Sequence, residues 1–301
     1  MVVTVEHIIY DVYCIGHASY DLIFSVPHHP MADEKMVADG LLGCGGGPAA
    51  NAAVLVAKLG LQAGFAGYLG EDVYGAGHLQ ELQALNVDTR YVVRGNSATP
   101  LSVVLVKADG KRALINYKAE TQALATQLVD FSSLQTKVLL FDGHEPNLSL
   151  DALKTQSQFC TASVLDAGSV HAGTLLLMDK VDYLVCSEKF ALQFAGSVET
   201  ALAQLASQSP AVVITLGAQG LVWQRGVETG AMTAPPMSEV IDTTGAGDAF
   251  HGAFAAALAA ASSWSDILRF ASAAGALCCT KLGARPGLPD RAQIQAVLAA
   301  W

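Results

Sequence analysis

At 301 residues, with 52% hydrophobic and 15% charged side chains, the chain can bury a large core and is too apolar to be disordered. A net charge of −10 without any basic run speaks against nucleic acid, and no stretch of roughly 18 apolar residues is present to cross a bilayer. The amino-terminal MVVTVEHIIYDVYCIG has no basic region ahead of its apolar run, unlike a secretory signal, and six scattered cysteines without a CxxC pair fit free thiols in a reducing cytoplasm.

The segment HIIYDVYCIG (7–16) is a continuous apolar run ending in Gly, the pattern of a buried strand. DLIFSVP (21–27) and KMVADGLLG (35–43) read as short strands, with His28 and His29 in a solvated turn between two prolines. Pro48 opens and Gly60 closes a helix over AANAAVLVAKLG (49–60). AGFAGYLG (63–70) returns as a strand, and a helix follows through Leu79–Leu85. In LSVVLVKADGKRALINYKAE (101–120), Asp109-Gly110 is a favoured two-residue turn between apolar arms, so a hairpin is predicted. Successive apolar residues on both arms predict cover on both faces. Either the hairpin is a flap with a second chain against its outer side, or it sits inside an ordinary sheet.

From residue 137 the segments KVLLFDG, SVLDAG, VDYLVCS and AVVITLG alternate with helical patterns, which predicts a parallel sheet with helices on both faces. Ligands of such sheets bind at the carboxyl ends of strands, where Asp142, Asp166, Ser187 and Gly217 fall. No linker or internal repeat divides the chain, so one α/β domain over residues 1–301 is expected.

The stretch IDTTGAGDAFHGAF (241–254) carries the chemistry. Glycines before a helix let backbone N–H groups approach an anion, and the helix dipole adds partial positive charge. Asp248, in the first turn, is placed to accept a hydroxyl proton. The competing reading is a plain helix start capped by Thr244 or Asp248. Other phosphate and hydrolase signatures fail on spacing. The only Gly-Lys pair, Gly110-Lys111, sits in the hairpin turn and not in a P-loop, neither glycine cluster completes GxGxxG, and no GxSxG is present.

DTTGAGDAFHGAF resembles the C-terminal signature of the ribokinase-like (PfkB) carbohydrate kinases. GGGPAANAAVLVAKLG (45–60) resembles that family's N-terminal glycine motif, TLGAQG (215–220) its nucleotide-side turn, and KLGARPGLP (281–289) its C-terminal loop. The resemblance implies a three-layer α/β/α fold with a mostly parallel sheet and a small β-sheet lid drawn from about 20–43 and 101–118. It implies an ATP-dependent sugar kinase that uses Mg²⁺ and K⁺; the free thiols point to the cytoplasm, and the doubly apolar hairpin predicts a dimer through the lid strands. Asp248 would be the base, and Gly245, Ala246 and Gly247 the anion hole. Asp21, Gly46, Gly47 and Asn51 would hold sugar hydroxyls, and Thr215, Gly217 and Gly220 would line the ATP site. Asp242 and carbonyls at Thr244, Cys278, Lys281 and Gly283 would bind the monovalent cation.

Two departures stand out. The family's Asn-x-x-Glu is Cys186-Ser187-Glu188-Lys189-Phe190 here, leaving Ser187 for nucleotide and Glu188 for Mg²⁺ through water. The usual ribokinase Lys after the paired glycines is Pro48, which weakens a ribose assignment. GGGPAA, INY (115–117) and DTTGAGDAFHGA look closest to ketohexokinase-like and 6-deoxy-6-sulfofructose kinases. Asn116 matches a substrate-contacting Asn of the latter, while His144 stands where they carry a sulfonate-binding Arg. An imidazole is a poorer anion clamp than a guanidinium, so an uncharged, fructose-like sugar is expected. A nucleoside kinase on this fold and a non-catalytic sugar or nucleotide sensor remain as alternatives.

Overall fold

A computed structural model describes residues 8–118, 122–159 and 161–301; the first seven residues, the end of the 101–120 segment and Cys160 lie outside the described residues. In chain order the strands are β1 (Tyr10–Ile15), β2 (Ser19–Val26), β3 (Gly40–Gly46), β4 (Ala63–Gly70), β5 (Val87–Gly95), β6 (Leu101–Lys107) and β7 (Arg112–Tyr117). They continue as β8 (Thr136–Phe141), β9 (Ala162–Ala167), β10 (Tyr183–Ser187), β11 (Ala211–Thr215), β12 (Leu221–Arg225) and β13 (Glu228–Met232). One sheet runs β13-β12-β11-β10-β9-β8-β1-β4-β5, parallel from β11 to β5 with an antiparallel pair at one edge. A second sheet has the order β3-β2-β6-β7.

Period-two alternation divides the core. Val12 and Cys14 of β1 point into one apolar cluster with helices Pro48–Lys58, Ala246–Ala259 and Trp264–Cys278. Tyr13 and Ile15 point into the other, with helices Pro146–Gln156, Glu188–Ala195 and Val198–Ala206. The result is three layers, as expected for the ribokinase-like fold. Each fully buried side chain of the size of Phe254 contributes on the order of 1.5–3 kcal/mol. No helix among the described residues is long and apolar enough to cross a membrane.

Several boundaries differ from the sequence reading. The strand expected over 35–43 starts only at Gly40 and runs through the glycine motif to Gly46. Its pairing with Ser19–Ser25 fixes that register, placing Gly46 opposite Ser19. β5 was not anticipated, because Asp88, Arg90 and Arg94 break its apolar pattern at the sheet edge. The short β12–β13 hairpin, turning at Gly226 with φ +57°, was also missed.

Two helices meet where the site forms. A Cβ at Gly252 would lie 2.9 Å from the Ala52 carbonyl, so helices Ala246–Ala259 and Pro48–Lys58 cross with backbones nearly touching. That close approach, made by alanines and one glycine, leaves Asn51 and Asp248 on facing turns.

Candidate active site

The chain leaves β1 toward β4 on one side, while β8 leads to β9 on the other, so strand order reverses between β1 and β8. A crevice is expected outside the carboxyl ends of such strands. Asp142, following β8, ties the two ends together. Its Oδ2 accepts from His17 N (2.7 Å) and Ala49 N (3.2 Å), and its Oδ1 from His144 N (2.9 Å). Three amides leave this carboxylate committed to structure.

A cleft of about 300 Å³ opens here, bounded by His17 and His144, by Gly47 and Asn51, by Thr244, Gly245 and Asp248, and by the small sheet. Asp21, Ser102 and Asn116 stand in register across β2, β6 and β7, forming one polar row facing the cleft. Asp21 accepts from Ser19 Oγ (3.0 Å), and burial raises its pKa against the hydrogen bonds of Ser102 and Ser19. Gly46 does not line the cleft. A Cβ there would collide with the Asp21 carboxylate, so the glycine makes room for the acid.

Helix Ala246–Ala259 starts at Gly245 with φ +79°, and no side chain caps it, which removes the plain capped-helix reading. Gly247 has open space where a Cβ would be. Asn51 Nδ2 donates to Asp248 Oδ2 at 2.7 Å. Burial raises the Asp248 pKa, and the Asn51 hydrogen bond pulls it back. Beneath the helix, His251 lies 2.6 Å from the Gly247 carbonyl and 3.1 Å from that of Val185, tying the helix start to β10.

Asp242 is buried. Its Oδ1 accepts from Thr244 N (2.9 Å) and Thr244 Oγ1 (2.6 Å), and its Oδ2 from Gly283 N (2.9 Å). Cys278 Sγ lies 3.5 Å from the Thr244 carbonyl. Asp242, Thr244, Cys278 and Gly283 thus converge, while Lys281 is exposed beside them.

The expected nucleotide residues lie apart from the cleft, along the ends of β10 and β11. Ser187 accepts from Phe190 N (3.0 Å) and donates to the Gly168 carbonyl (2.8 Å), so its hydroxyl caps helix Glu188–Ala195. Glu188 is exposed in that helix's first turn. Thr215 Oγ1 donates to the Cys186 carbonyl (3.4 Å), and Gly217 has open space beside it at φ +57°. Gly220, at φ +95°, packs so closely on the Met232 carbonyl that no side chain fits.

Sequence reasoning found Asn116 but missed its neighbours. Arg112, Leu114, Asn116 and Lys118 all line the cleft from every second position of the β7 segment, so period-two alternation could have supplied the other three. Arg112 donates to Thr244 Oγ1 and lies 3.3 Å from Asp242, which carries the hairpin across to the helix start. Arg285 was also missed; it is buried behind Asn51.

A helix N-terminus, a carboxylate and a polar row close on a switch-point crevice of a three-layer α/β fold, an arrangement suited to group transfer. The chain matches the pfkB family of carbohydrate kinases over residues 10–291, and it belongs to that family. It is 28% identical to the ribokinase of Bacillus subtilis (strain 168), covering 94% of this chain and 98% of that one. It is 27% identical to the probable fructokinase-4 of Arabidopsis thaliana, over 94% and 95%. The structure of Arabidopsis thaliana ribokinase complexed with ribose and ATP superposes with a TM-score of 0.82 at 26% identity, covering 97% of this chain and 99% of that one. The protein is therefore a carbohydrate kinase.

Proposed function

We propose that this carbohydrate kinase transfers the γ-phosphoryl group of ATP to a primary hydroxyl of a small uncharged sugar, with a fructose-like ketohexose as the favoured acceptor. The observation that carries this reading is the hydrogen bond from Asn51 to Asp248 at the head of an uncapped helix, facing the Asp21–Ser102–Asn116 row. The row and Asn51 grip vicinal hydroxyls. Asp248 takes the proton of the attacking hydroxyl, and the amides of Gly245, Ala246 and Gly247 hold the moving phosphoryl group. The Arabidopsis ribokinase structure, with ribose and ATP, supports the pairing of a sugar with this donor. Pro48 beside the glycines, where ribokinases carry Lys, speaks for a hexose, and a fructokinase stands among the relatives beside the ribokinases.

Three imidazoles gather at the far wall, His17 and His144 lining the cleft and His171 behind them. His144 stacks on His171 at a centroid distance of 4.8 Å and meets His17 tilted at 5.0 Å, and burial together with His144 lowers the pKa values of His17 and His171. A neutral His17 offers a hydrogen bond and not an anion clamp, and the Arg112 guanidinium that lines the same cleft is turned to Thr244 and Asp242.

The nucleotide lies along Ser187, Thr215, Gly217 and Gly220 in this reading. Mg²⁺ bound through phosphates and water needs one or two carboxylates, and the exposed Glu188 can serve through water. Asp242 and the Thr244 carbonyl supply oxygens suited to K⁺, while Arg112 already brings one positive charge to that carboxylate. We take the chain as one kinase domain with the small sheet as its lid, working in the cytoplasm, where free thiols such as Cys14 and Cys186 persist. The outer face of the small sheet pairs two copies of the chain.

A coupled ADP-release assay over aldoses, ketoses and nucleosides, with and without K⁺, tests the reading. Turnover on a ketohexose, raised by K⁺, is expected. The Asp248→Asn variant, still folded, should lose about 10³-fold in kcat. Turnover on nucleosides alone would change the acceptor class. ATP binding without turnover on any acceptor would make the protein a sensor, and wild-type turnover by Asp248→Asn would remove the base.

A further inference from the structure

We propose that Arg285 is a positioning residue of the transfer site, holding the Asn51 carboxamide so that its NH₂ group is aimed at Asp248. The proposal rests on the reading of Asp248 as the base. Arg285 lies in the short helix Ala284–Gly287, is buried, and reaches three partners. Its Nε donates to Asn51 Oδ1 at 3.1 Å, its Nη2 lies 3.1 Å from His78 Nε2, and its Nη1 lies 3.3 Å from Glu81 Oε1.

Donor chemistry makes the arrangement directional. A guanidinium has only donors, so the Asn51 atom facing it must be the carbonyl oxygen, and the NH₂ group is left for Asp248 Oδ2 at 2.7 Å. A carboxamide free of such a partner can turn over about its last bond and set its oxygen against the carboxylate. The same logic makes His78 Nε2 an acceptor, so that ring is neutral; burial and Arg285 both push its pKa down. Glu81 completes the relay, because its Oε2 accepts from Gly45 N at 2.6 Å. A chain of contacts therefore runs from the glycine strand β3 through Glu81, Arg285 and Asn51 to the base.

Arg285 also sets a fixed positive charge behind crowded acids. Asp248 is faced by Asp21 from β2, Asp142 after β8, Asp166 in β9, Cys278 and, one turn along its own helix, His251. Burial lowers the pKa of this guanidinium and Asp248 is among the acids that raise it, so Arg285 favours the ionised base beside the Asn51 hydrogen bond and His251.

The test is a double-mutant cycle on the full-length enzyme with Arg285→Met and Asn51→Ala. Because Arg285 acts through Asn51, Arg285→Met should lower kcat about 30-fold in the wild-type background and under about threefold beside Asn51→Ala, with the KM for ATP unchanged. Its acid limb of kcat should move to higher pH. Arg285→Lys keeps the charge without the planar fork, so the limb returns while kcat stays reduced. An equal loss in both backgrounds, or an unmoved limb, overturns the proposal. If Arg285→Met does not fold, the same cycle with Arg285→Lys decides on the same criterion. Wild-type turnover by Asp248→Asn would instead overturn the base reading beneath it, which keeps the two failures distinct.

Discussion

A Cβ at position 46 would fall within the van der Waals shell of the Asp21 carboxylate, itself buried and held by Ser19. Position 46 is extended backbone that any residue could adopt, so the requirement for glycine here is space for an acid and not a backbone angle. The Gly46→Ala variant should fold with reduced stability and turn the Asp21 carboxylate off the polar row. We expect the KM for sugar to rise at least about tenfold while the KM for ATP is unchanged, as read by steady-state kinetics on each substrate. An unaltered sugar KM would remove Asp21 from the acceptor site. The glycine motif itself was plain in the sequence. Which glycine serves which neighbour was not, because Asp21 and His78 reach Gly46 and Gly45 from other elements.

At the scale of elements, the small sheet explains why both hairpin arms looked apolar. Its inner face packs Ile23, Cys44, Val104 and Val106. Its outer face sets Gly43, Leu22, Val103 and Ile115 in one cross-strand row and Leu41, Phe24, Leu105 and Ala113 in the next. Leu22, Phe24, Val103 and Leu105 are half-buried, whereas Leu41 (63%), Ile115 (64%) and Tyr117 (56%) are exposed. An apolar face of this kind on a sheet with open edges is suited to pairing with a second copy. We therefore expect a dimer in sedimentation at micromolar concentration, and a monomer for Ile115→Asp. A wild-type monomer at tens of micromolar would count against pairing through this face. Alternation along β7 was readable in the sequence. The assignment of its even positions to the cleft follows from that alternation only once Asn116 is placed at the acceptor, and pairing with β6 sets the same side independently.

Over the whole molecule, buried titrating groups pull stability in opposite directions across one pH window. His17, lowered by burial to about 4, is neutral in the fold, so the unfolded chain takes its proton first and stability falls as pH drops from 6.5 toward that value. Glu145, raised by burial to about 7, keeps its proton longer in the fold, so its contribution is full below the ordinary carboxylate value and is lost as pH rises toward 7. A shift of that size corresponds to about 3 kcal/mol. Glu145 also accepts from Leu124 N at 2.7 Å, a bond the amide oxygen of Glu145→Gln can keep. Thermal melts should show the variant gaining on the wild type as pH rises from 4.5 to 7. A Tm difference that ignores pH would contradict the buried acid. What the sequence alone determined was the candidate catalytic segment, the helix it opens and the parallel rhythm of strands, because local turn chemistry and hydrophobic period are written in consecutive residues. The tertiary structure decided which distant side chains meet. Asn51 and Asp248 stand 197 positions apart and Asn51 and Arg285 234, and only the close crossing of two alanine-rich helices and the fold of the C-terminal loop bring them within hydrogen-bonding reach.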